Sequence, residues 1–337
     1  MSKTYQKSGV DIRTGDEFVR SIREKVRSTF SRAVLSDIGT FGAFYDGRFK
    51  GLLEPVLVSS VDGVGTKLKV AFLMDKHDTI GEDLVNHCVN DIAVCGAHPL
   101  FFLDYIATRK LKQHVAGQII DGMIKACREN SCALVGGETA EMPDFYNENE
   151  YDLAGMIVGV AEKKKIFTGK SVKAGDLLIG LPSTGLHTNG YSLARSILFE
   201  RFEVDDFFDE LGMRLGDALL IVHRSYLKAI RAIAEMRGVH AFAHITGGGI
   251  FGNTSRIVPE HLTPKINWER WQRPAIFQLI QSYGRVPEKD MRRTFNLGVG
   301  LVIVASSRET EPVMKALQQV GEKPFLVGEV SQRTMMK

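Results

Sequence analysis

The feature that most constrains this chain is the junction at residues 56–67. Val56 to Val61 is an apolar, β-branched run that reads as a buried strand, and Asp62-Gly63-Val64-Gly65-Thr66-Lys67 follows it directly. A strand that ends on an acid, two glycines and a lysine delivers its chemistry to a sheet edge, where the chain must turn. Glycine permits the turn and lets backbone N–H groups approach a ligand. Lys67 can meet a phosphate as a point charge, and Asp62 can hold a magnesium ion. Asp-Gly is also an ordinary turn, so the junction gains weight only from other stretches that ask for the same ligand.

Those stretches lie at the ends of other predicted elements. Thr14-x-x-Glu17 and Thr79-x-x-Glu82 are capping-box signatures. Behind the first, Phe18, Ile22 and Val26 recur every four residues as an amphipathic helix. Behind the second, Ile80, Leu84, Val85, Cys88, Val89, Ile92 and Cys95 form a wide apolar stripe that Gly96 closes. Gly39, Gly42, Gly47 and Gly51 make 32–51 a loop or a punctuated strand. Strands are expected at 100–106, at 132–135 ending in Gly136-Gly137-Glu138, and at 153–160. Val115, Ile119, Met123 and Cys127 mark a helix between the first two.

The polar, basic stretch 163–175 marks a domain boundary, drawn between 168 and 169. Beyond it, strands are expected at 176–181, 241–246, 298–304 and 325–330, and helices at 190–200, 216–236, 273–283 and 308–320. This alternation argues for an α/β layer structure. A length of 337 residues suits two domains, 1–168 and 169–337.

Composition narrows the partners. Lys+Arg 43 against Asp+Glu 40 leaves a net charge of +3, which gives no reason to expect nucleic acid or an acidic membrane. Cys88, Cys95, Cys127 and Cys132 make no Cys-x-x-Cys pair and read as small buried thiols. With no signal peptide and no apolar run of about 18 residues, the expected location is cytoplasmic. Asn253-Thr254-Ser255 matches a glycosylation acceptor only by chance in that setting.

Three acid-bearing sites emerge in the first half: Asp62 after a strand, Asn90-Asp91 on the polar face of the second helix, and Glu138 after two glycines. Magnesium takes hard oxygen ligands and often bridges carboxylates to substrate phosphates. Each acid alone reads as a turn or solvated residue; together they point to a nucleotide–metal site. Asp83, His87 and Asp91 stack at four-residue steps, a spacing open to a transition metal but better read as a polar face with Asp91 alone recruited. Glu141 is a further candidate ligand, base or loop acid.

In the second half, Ser183-Thr184-Gly185-Leu186-His187-Thr188-Asn189-Gly190 joins a strand to a helix. Small residues, hydroxyls and a helix start make a phosphate cradle, and His187 there could exchange protons. Thr246-Gly247-Gly248-Gly249 follows another strand as a second backbone-lined pocket. Gly247 to Gly252 formally fits G-x-G-x-x-G, but Glu269 is a poor match to the fingerprint's acid. No G-x-x-x-x-G-K-[ST] loop exists, so an ATP site here is not of the P-loop type.

Taken in order, these blocks resemble the phosphoribosylformylglycinamidine cyclo-ligase (aminoimidazole ribonucleotide synthetase) family nearly end to end. The match includes Tyr5, Gly9-Val10-Asp11-Ile12, Asp62 to Lys67, His77 to Gly81, Asn90-Asp91 and Pro99 to Tyr105. Gly136-Gly137-Glu138-Thr139-Ala140-Glu141-Met142-Pro143 is especially specific, and His187 to Leu193, Thr246 to Gly249 and Arg293 to Gly300 complete it. The resemblance implies an N-terminal α/β sheet domain that pairs into a barrel on dimerisation, carrying ATP and magnesium. It implies a C-terminal α/β sandwich domain for the substrate. It also implies ring closure of formylglycinamidine ribonucleotide to aminoimidazole ribonucleotide, with ADP and phosphate released, in purine biosynthesis. Phosphoryl transfer to the formyl oxygen makes an iminophosphate, which the amidine nitrogen displaces, so the protein mainly positions groups and neutralises charge.

On that likeness, magnesium falls to Asp62, Asp91 and Glu138. ATP falls to Asp62, Gly63, Gly65, Thr66, Lys67, Asn90, Gly136, Gly137, Glu138 and Thr139. The ribonucleotide falls to Ser183, Thr184, Gly185, His187, Asn189, Gly190 and Thr246 to Gly249. His187, Asp62 and Asp91 are the expected catalytic groups. Arg23, Thr40, Arg109 and Asp144 depart from the family pattern and put local loop shape in question. Other ATP-dependent members of the same fold, and a dinucleotide oxidoreductase built on Gly247 to Gly252, are the competing readings.

Overall fold

The computed structural model describes residues 12–333. Tyr5 and Gly9 to Asp11 lie outside the described residues. The chain divides into two compact units, Met1–Ile92 with His98–Lys163, and Ala93–Ala97 with Lys164–Lys337. No helix among the described residues is long and apolar enough to cross a membrane.

The first unit runs α1 (Ile12–Arg27), β1 (Pro55–Gly63), α2 (Leu68–Met74), α3 (Asp78–Ala93), β2 (His98–Thr108), α4 (Gln113–Glu129), β3 (Ala133–Glu141) and β4 (Tyr151–Glu162). Its strands form one sheet in the order β1-β4-β2-β3, with β2 and β3 parallel and the other pairs antiparallel. Helix α3 is buried nearly all round: Ile80, Leu84, Val85, Cys88 and Val89 are inaccessible, and so are Asp83 and Asn90. The polar face expected on this helix is therefore an interior face.

Three sequence expectations change here. β1 is not buried on both sides: its residues alternate, and Leu57 and Val61 are 62% and 65% exposed. β3 does not stop at Gly136 but continues through the glycines to Glu141. Helices α1 and α3 begin at Ile12 and Asp78, so Thr14 and Thr79 lie inside the first turn and the capping boxes do not form.

The second unit runs β5 (Leu177–Pro182), α5 (Tyr191–Leu198), β6 (Phe207–Phe208), β7 (Met213–Arg214), α6 (Leu215–Leu220), α7 (Leu227–Ile233), β8 (Val239–His244), α8 (Gly249–Ser255), β9 (Leu262–Ile266), α9 (Ala275–Gly284), α10 (Glu288–Thr294), β10 (Val299–Ala305), α11 (Thr310–Gln319) and β11 (Phe325–Gln332). Five strands form an antiparallel sheet in the order β8-β10-β5-β11-β9. Every residue of β10 is buried, as a central strand requires. The single helix expected at 216–236 is two helices, broken at 221–226. There Tyr226 donates its hydroxyl to Pro182 O at 2.8 Å and Arg224 pairs with Glu322 at 2.5 Å. These tertiary bonds outweigh local helix preference.

Candidate functional site

In the first unit, helix α3 presents one residue per turn to β1 and the loop after it. Asp91 accepts a hydrogen bond from Ser60 Oγ at 3.0 Å. His87 Nε2 lies 2.7 Å from Asp62 Oδ2. Asp83 holds Lys67 Nζ at 2.7 Å, with both side chains at 0% exposure. The stack Asp83-His87-Asp91 is thus a polar seam, each residue matched to a partner on the strand–loop junction. An i, i+4 spacing lines one helix face, which is why one straight edge of β1 and its loop can meet all three.

Electrostatics separates the two ends of this seam. Burial pushes the His87 imidazole down, but the Asp62 hydrogen bond and the charges of Asp62, Asp91 and Asp83 outweigh it and hold it above its ordinary value. Asp62 and Asp91 thus both favour a positive charge at this place. At the other end, burial pushes the Lys67 ammonium down while the Asp83 charge opposes that shift. Lys67 is accordingly not the solvent-facing phosphate lysine the sequence suggested. Its ammonium is committed to Asp83, and it anchors the glycine loop from beneath. Gly63, Gly65 and Thr66 form the accessible side of that loop, with Gly65 at φ 62°. Asn90 is fully buried on α3.

Glu138 stands elsewhere on the sheet. Register places Asp62 and Asp104 both opposite Gly155, on one side, and Glu138 opposite Tyr105 on the alternate side. Gly136, Gly137, Glu138 and Thr139 line a cavity of about 470 Å³ with α1 and the 37–43 loop, Thr40 included. Asp104 lines it too, and burial pushes its carboxyl up to about 7. A Cβ on Gly137 would come within 2.4 Å of the Asp104 carboxylate, so glycine there makes room for an acid that sequence reasoning did not single out. Glu141 accepts the Leu111 N–H at 2.8 Å, the behaviour of a loop-fixing acid.

A second cavity, of about 330 Å³, lies at the other end of the sheet. Phe72, His77 and Tyr151 form an aromatic floor, joined by a 2.9 Å contact between His77 Nδ1 and the Tyr151 hydroxyl. Lys110 and Lys112 stand at its wall.

In the second unit the two expected loops come together. A Cβ on Gly247 would lie 3.2 Å from Asn189 Oδ1. Asn296 ties down the first loop: its Oδ1 accepts from Ser183 Oγ at 2.9 Å and its Nδ2 donates to Gly185 O at 2.8 Å. Asn253 ties down the second, its Nδ2 donating to the carbonyls of Thr246, Gly247 and Gly249 at 3.2, 3.3 and 2.9 Å. Both are buried asparagines whose amides shape the loops. Asn253, which the sequence offered only as a chance glycosylation match, serves here as a clamp. Thr184 spends its hydroxyl on Val222 O at 2.6 Å. Gly190, at φ 82°, starts α5, and Gly248, at φ 100°, starts α8.

His187 is buried, at φ 62°, and its Nε2 accepts the Thr184 N–H at 3.2 Å. An accepting Nε2 carries no proton, so the neutral ring is the Nδ1–H tautomer. Proton exchange at Nε2 would break the loop's own hydrogen bond. The dinucleotide alternative also weakens, because β8 pairs antiparallel with β10 and forms none of the parallel βαβ unit that fingerprint needs.

Comparison with known proteins agrees with this layout. The family model for AIR synthase related protein, N-terminal domain, matches residues 50–161, and that for its C-terminal domain matches residues 173–337. The phosphoribosylformylglycinamidine cyclo-ligase of Thermoanaerobacter pseudethanolicus is 49% identical over 328 residues, covering 97% of each chain. The enzyme of that name from Anaeromyxobacter dehalogenans is 50% identical over 331 residues, covering 98% of this chain and 96% of that one. Among solved structures, thiamine-monophosphate kinase from Stenotrophomonas maltophilia superposes with a TM-score of 0.71 at 13% identity, covering 93% of this chain and 94% of that one. A hydrogenase maturation protein in complex with ATP superposes at 0.67 and 15% identity, covering 96% and 88%. These two share the fold, while the near-complete match at about half identity goes further: the chain belongs to the phosphoribosylformylglycinamidine cyclo-ligase family.

Proposed function

We propose that this chain closes the imidazole ring of formylglycinamidine ribonucleotide with ATP, giving aminoimidazole ribonucleotide, ADP and phosphate. The observation that carries the reading is the seam on α3, where His87 and Asp91 meet Asp62 and Ser60 at 2.7 and 3.0 Å on a glycine-turned strand end. End-to-end similarity to the cyclo-ligases supplies the choice of substrate.

The residues fit magnesium: Asp62 and Asp91 offer hard oxygen ligands, and both raise the His87 pKa, as carboxylates that favour a positive charge do. When bound, the ion supplies neutralisation of phosphate charge. Glu138, expected as a third ligand, lies within β3 on the alternate side of the sheet and is assigned to the neighbouring cavity instead. Gly63, Gly65 and Thr66 offer backbone N–H groups to the phosphates, and Gly136, Gly137 and Thr139 line the neighbouring cavity. The aromatic cavity at Phe72, His77 and Tyr151 takes the nucleobase, with Lys110 and Lys112 at the phosphate side. Lys67 acts through the shape of its loop.

The loops at 183–190 and 246–249 hold the ribonucleotide. Asn189 and the glycine backbones provide neutral hydrogen bonds, and His187 stands ready to donate from Nδ1. Positioning of the two substrates is then the main work of the protein. Residues 1–168 carry ATP, magnesium and the dimer contact, and residues 169–337 carry the ribonucleotide. The exposed row Leu57, Val61, Met156 and Tyr105 on one sheet face is the surface on which a second copy docks to close a barrel. The protein works as a homodimer in the cytoplasm.

The test is direct. Purified protein given formylglycinamidine ribonucleotide and MgATP is expected to yield the aminoimidazole product and one ADP per ring closed. ADP without the cyclised product would reassign the chain to another acceptor.

A further inference from the structure

The helix break at 221–226 brings His223 into the middle of the second unit, where the sequence pattern had placed a continuous helix. Its ring is fully buried and touches the first loop and the strand end that leads into the second. It stacks on His187, centroids 4.0 Å apart and planes 13° from parallel. Its Nε2 lies 3.0 Å from His244 Nε2, at the end of β8 just before Thr246. Its Nδ1 lies 3.4 Å from the Thr188 hydroxyl.

Two imidazole nitrogens 3.0 Å apart admit one arrangement: a single proton between them. Two N–H groups would collide, and two bare lone pairs would repel. When His223 donates at Nε2, its Nδ1 accepts from Thr188; when it accepts, a neutral ring donates to Thr188 from Nδ1. Either tautomer ties Thr188 in the first loop to His244 beside the second. The surroundings hold the rings in place. A Cβ on Gly300 would come within 2.6 Å of His187 Cε1 and 2.0 Å of the Tyr226 hydroxyl, so only glycine admits the stack. Beside it stand Tyr226, whose hydroxyl is committed to Pro182 O, and Arg224, which lies over the Tyr226 ring at 4.9 Å and pairs with Glu322.

We propose that His223 is a positioning residue for the ring closure: it shares one proton with His244 and so locks the 183–190 loop, with His187, against the 246–249 loop. The proposal rests on the functional reading above for its kinetic consequence, while the shared proton stands on geometry alone. The first measurement is nitrogen NMR of the intact protein with labelled histidines. A coupling between two ring nitrogens across one hydrogen bond is expected. Two rings with no coupling between their nitrogens would overturn the proposal. The second is kinetic. His223→Leu is expected to raise KM for the ribonucleotide about tenfold with KM for ATP unchanged. His223→Gln, whose amide can still reach His244, should recover most of that loss. Equal behaviour of the two variants, or an equal change in both KM values, would overturn the positioning role. If the unmodified protein closes no ring, the functional reading fails and the NMR result still decides the shared proton.

Discussion

The two units build their candidate sites from opposite materials. The first uses charge: Asp62, Asp91, Asp83, His87 and Lys67 meet along one helix face, and each is matched to an opposite charge or a hydroxyl. The second uses almost none. Its loops are shaped by the neutral amides of Asn253 and Asn296 and by a buried histidine stack. On the proposed reading, a triphosphate with its counter-ion meets compensating charge in the first unit, and a ribonucleotide with a single phosphate meets backbone N–H groups and neutral donors in the second. The comparison also separates how each unit fails. Removing one member of a buried charge pair leaves an unpaired charge, and removing one amide leaves a few unsatisfied carbonyls.

The largest expected effect follows from that difference. Lys67→Met strands Asp83 in the interior and should cost about 3–5 kcal/mol of folding stability. Adding Asp83→Leu should recover much of it. Denaturant titration of the single and double variants checks this, and a single variant as stable as the parent would break the contrast between the units. Next come Asp62→Asn and Asp91→Asn. Each should lower turnover by about a hundredfold or more, with magnesium dependence displaced, because transition-state charge loses its partner. Wild-type magnesium titration curves in both would remove the seam from the chemistry.

Much of the charged unit was legible because its signals are local. The strand–glycine junction at 55–67, the four-residue steps of α3 and the Gly136-Gly137-Glu138 block all lie in short windows. What the windows could not give was pairing. His87 finds Asp62 and Lys67 finds Asp83 only after β1 and α3 dock, so the stack read as a solvated face. The neutral unit was less legible. α8 starts in a glycine run, which propensity argues against. β9 contains Pro264 and is tolerated as an edge strand, where a missing N–H costs little. The break before α7 depends on Arg224 and Tyr226 finding Glu322 and Pro182.

Smaller effects sharpen the neutral side. Asn253→Ala leaves three loop carbonyls without their donor, and about 1–3 kcal/mol of stability should go with it. The ribonucleotide KM should rise while the ATP KM holds. A change confined to the ATP side would contradict the division of labour. The smallest effect is acid sensitivity at Glu288. Hydrogen bonding to Arg273 first, then to Gln281 and Arg292, holds its carboxyl down to about 2. A depressed folded-state value contributes stability above the ordinary value of 4.5, and that contribution fades as pH falls toward 2. Glu288→Gln should therefore flatten the stability profile across that window and leave it unchanged in slope at neutral pH. An unaltered acid limb would show that the half-exposed pair adds nothing.

The central claim is that the α3 seam holds the metal-bound triphosphate. Calorimetric titration of the folded protein with MgATP, set beside the Asp62→Asn/Asp91→Asn double variant, tests it most directly. The account expects binding to the parent and at least about a hundredfold weaker binding to the variant. Equal affinity in the two would contradict it.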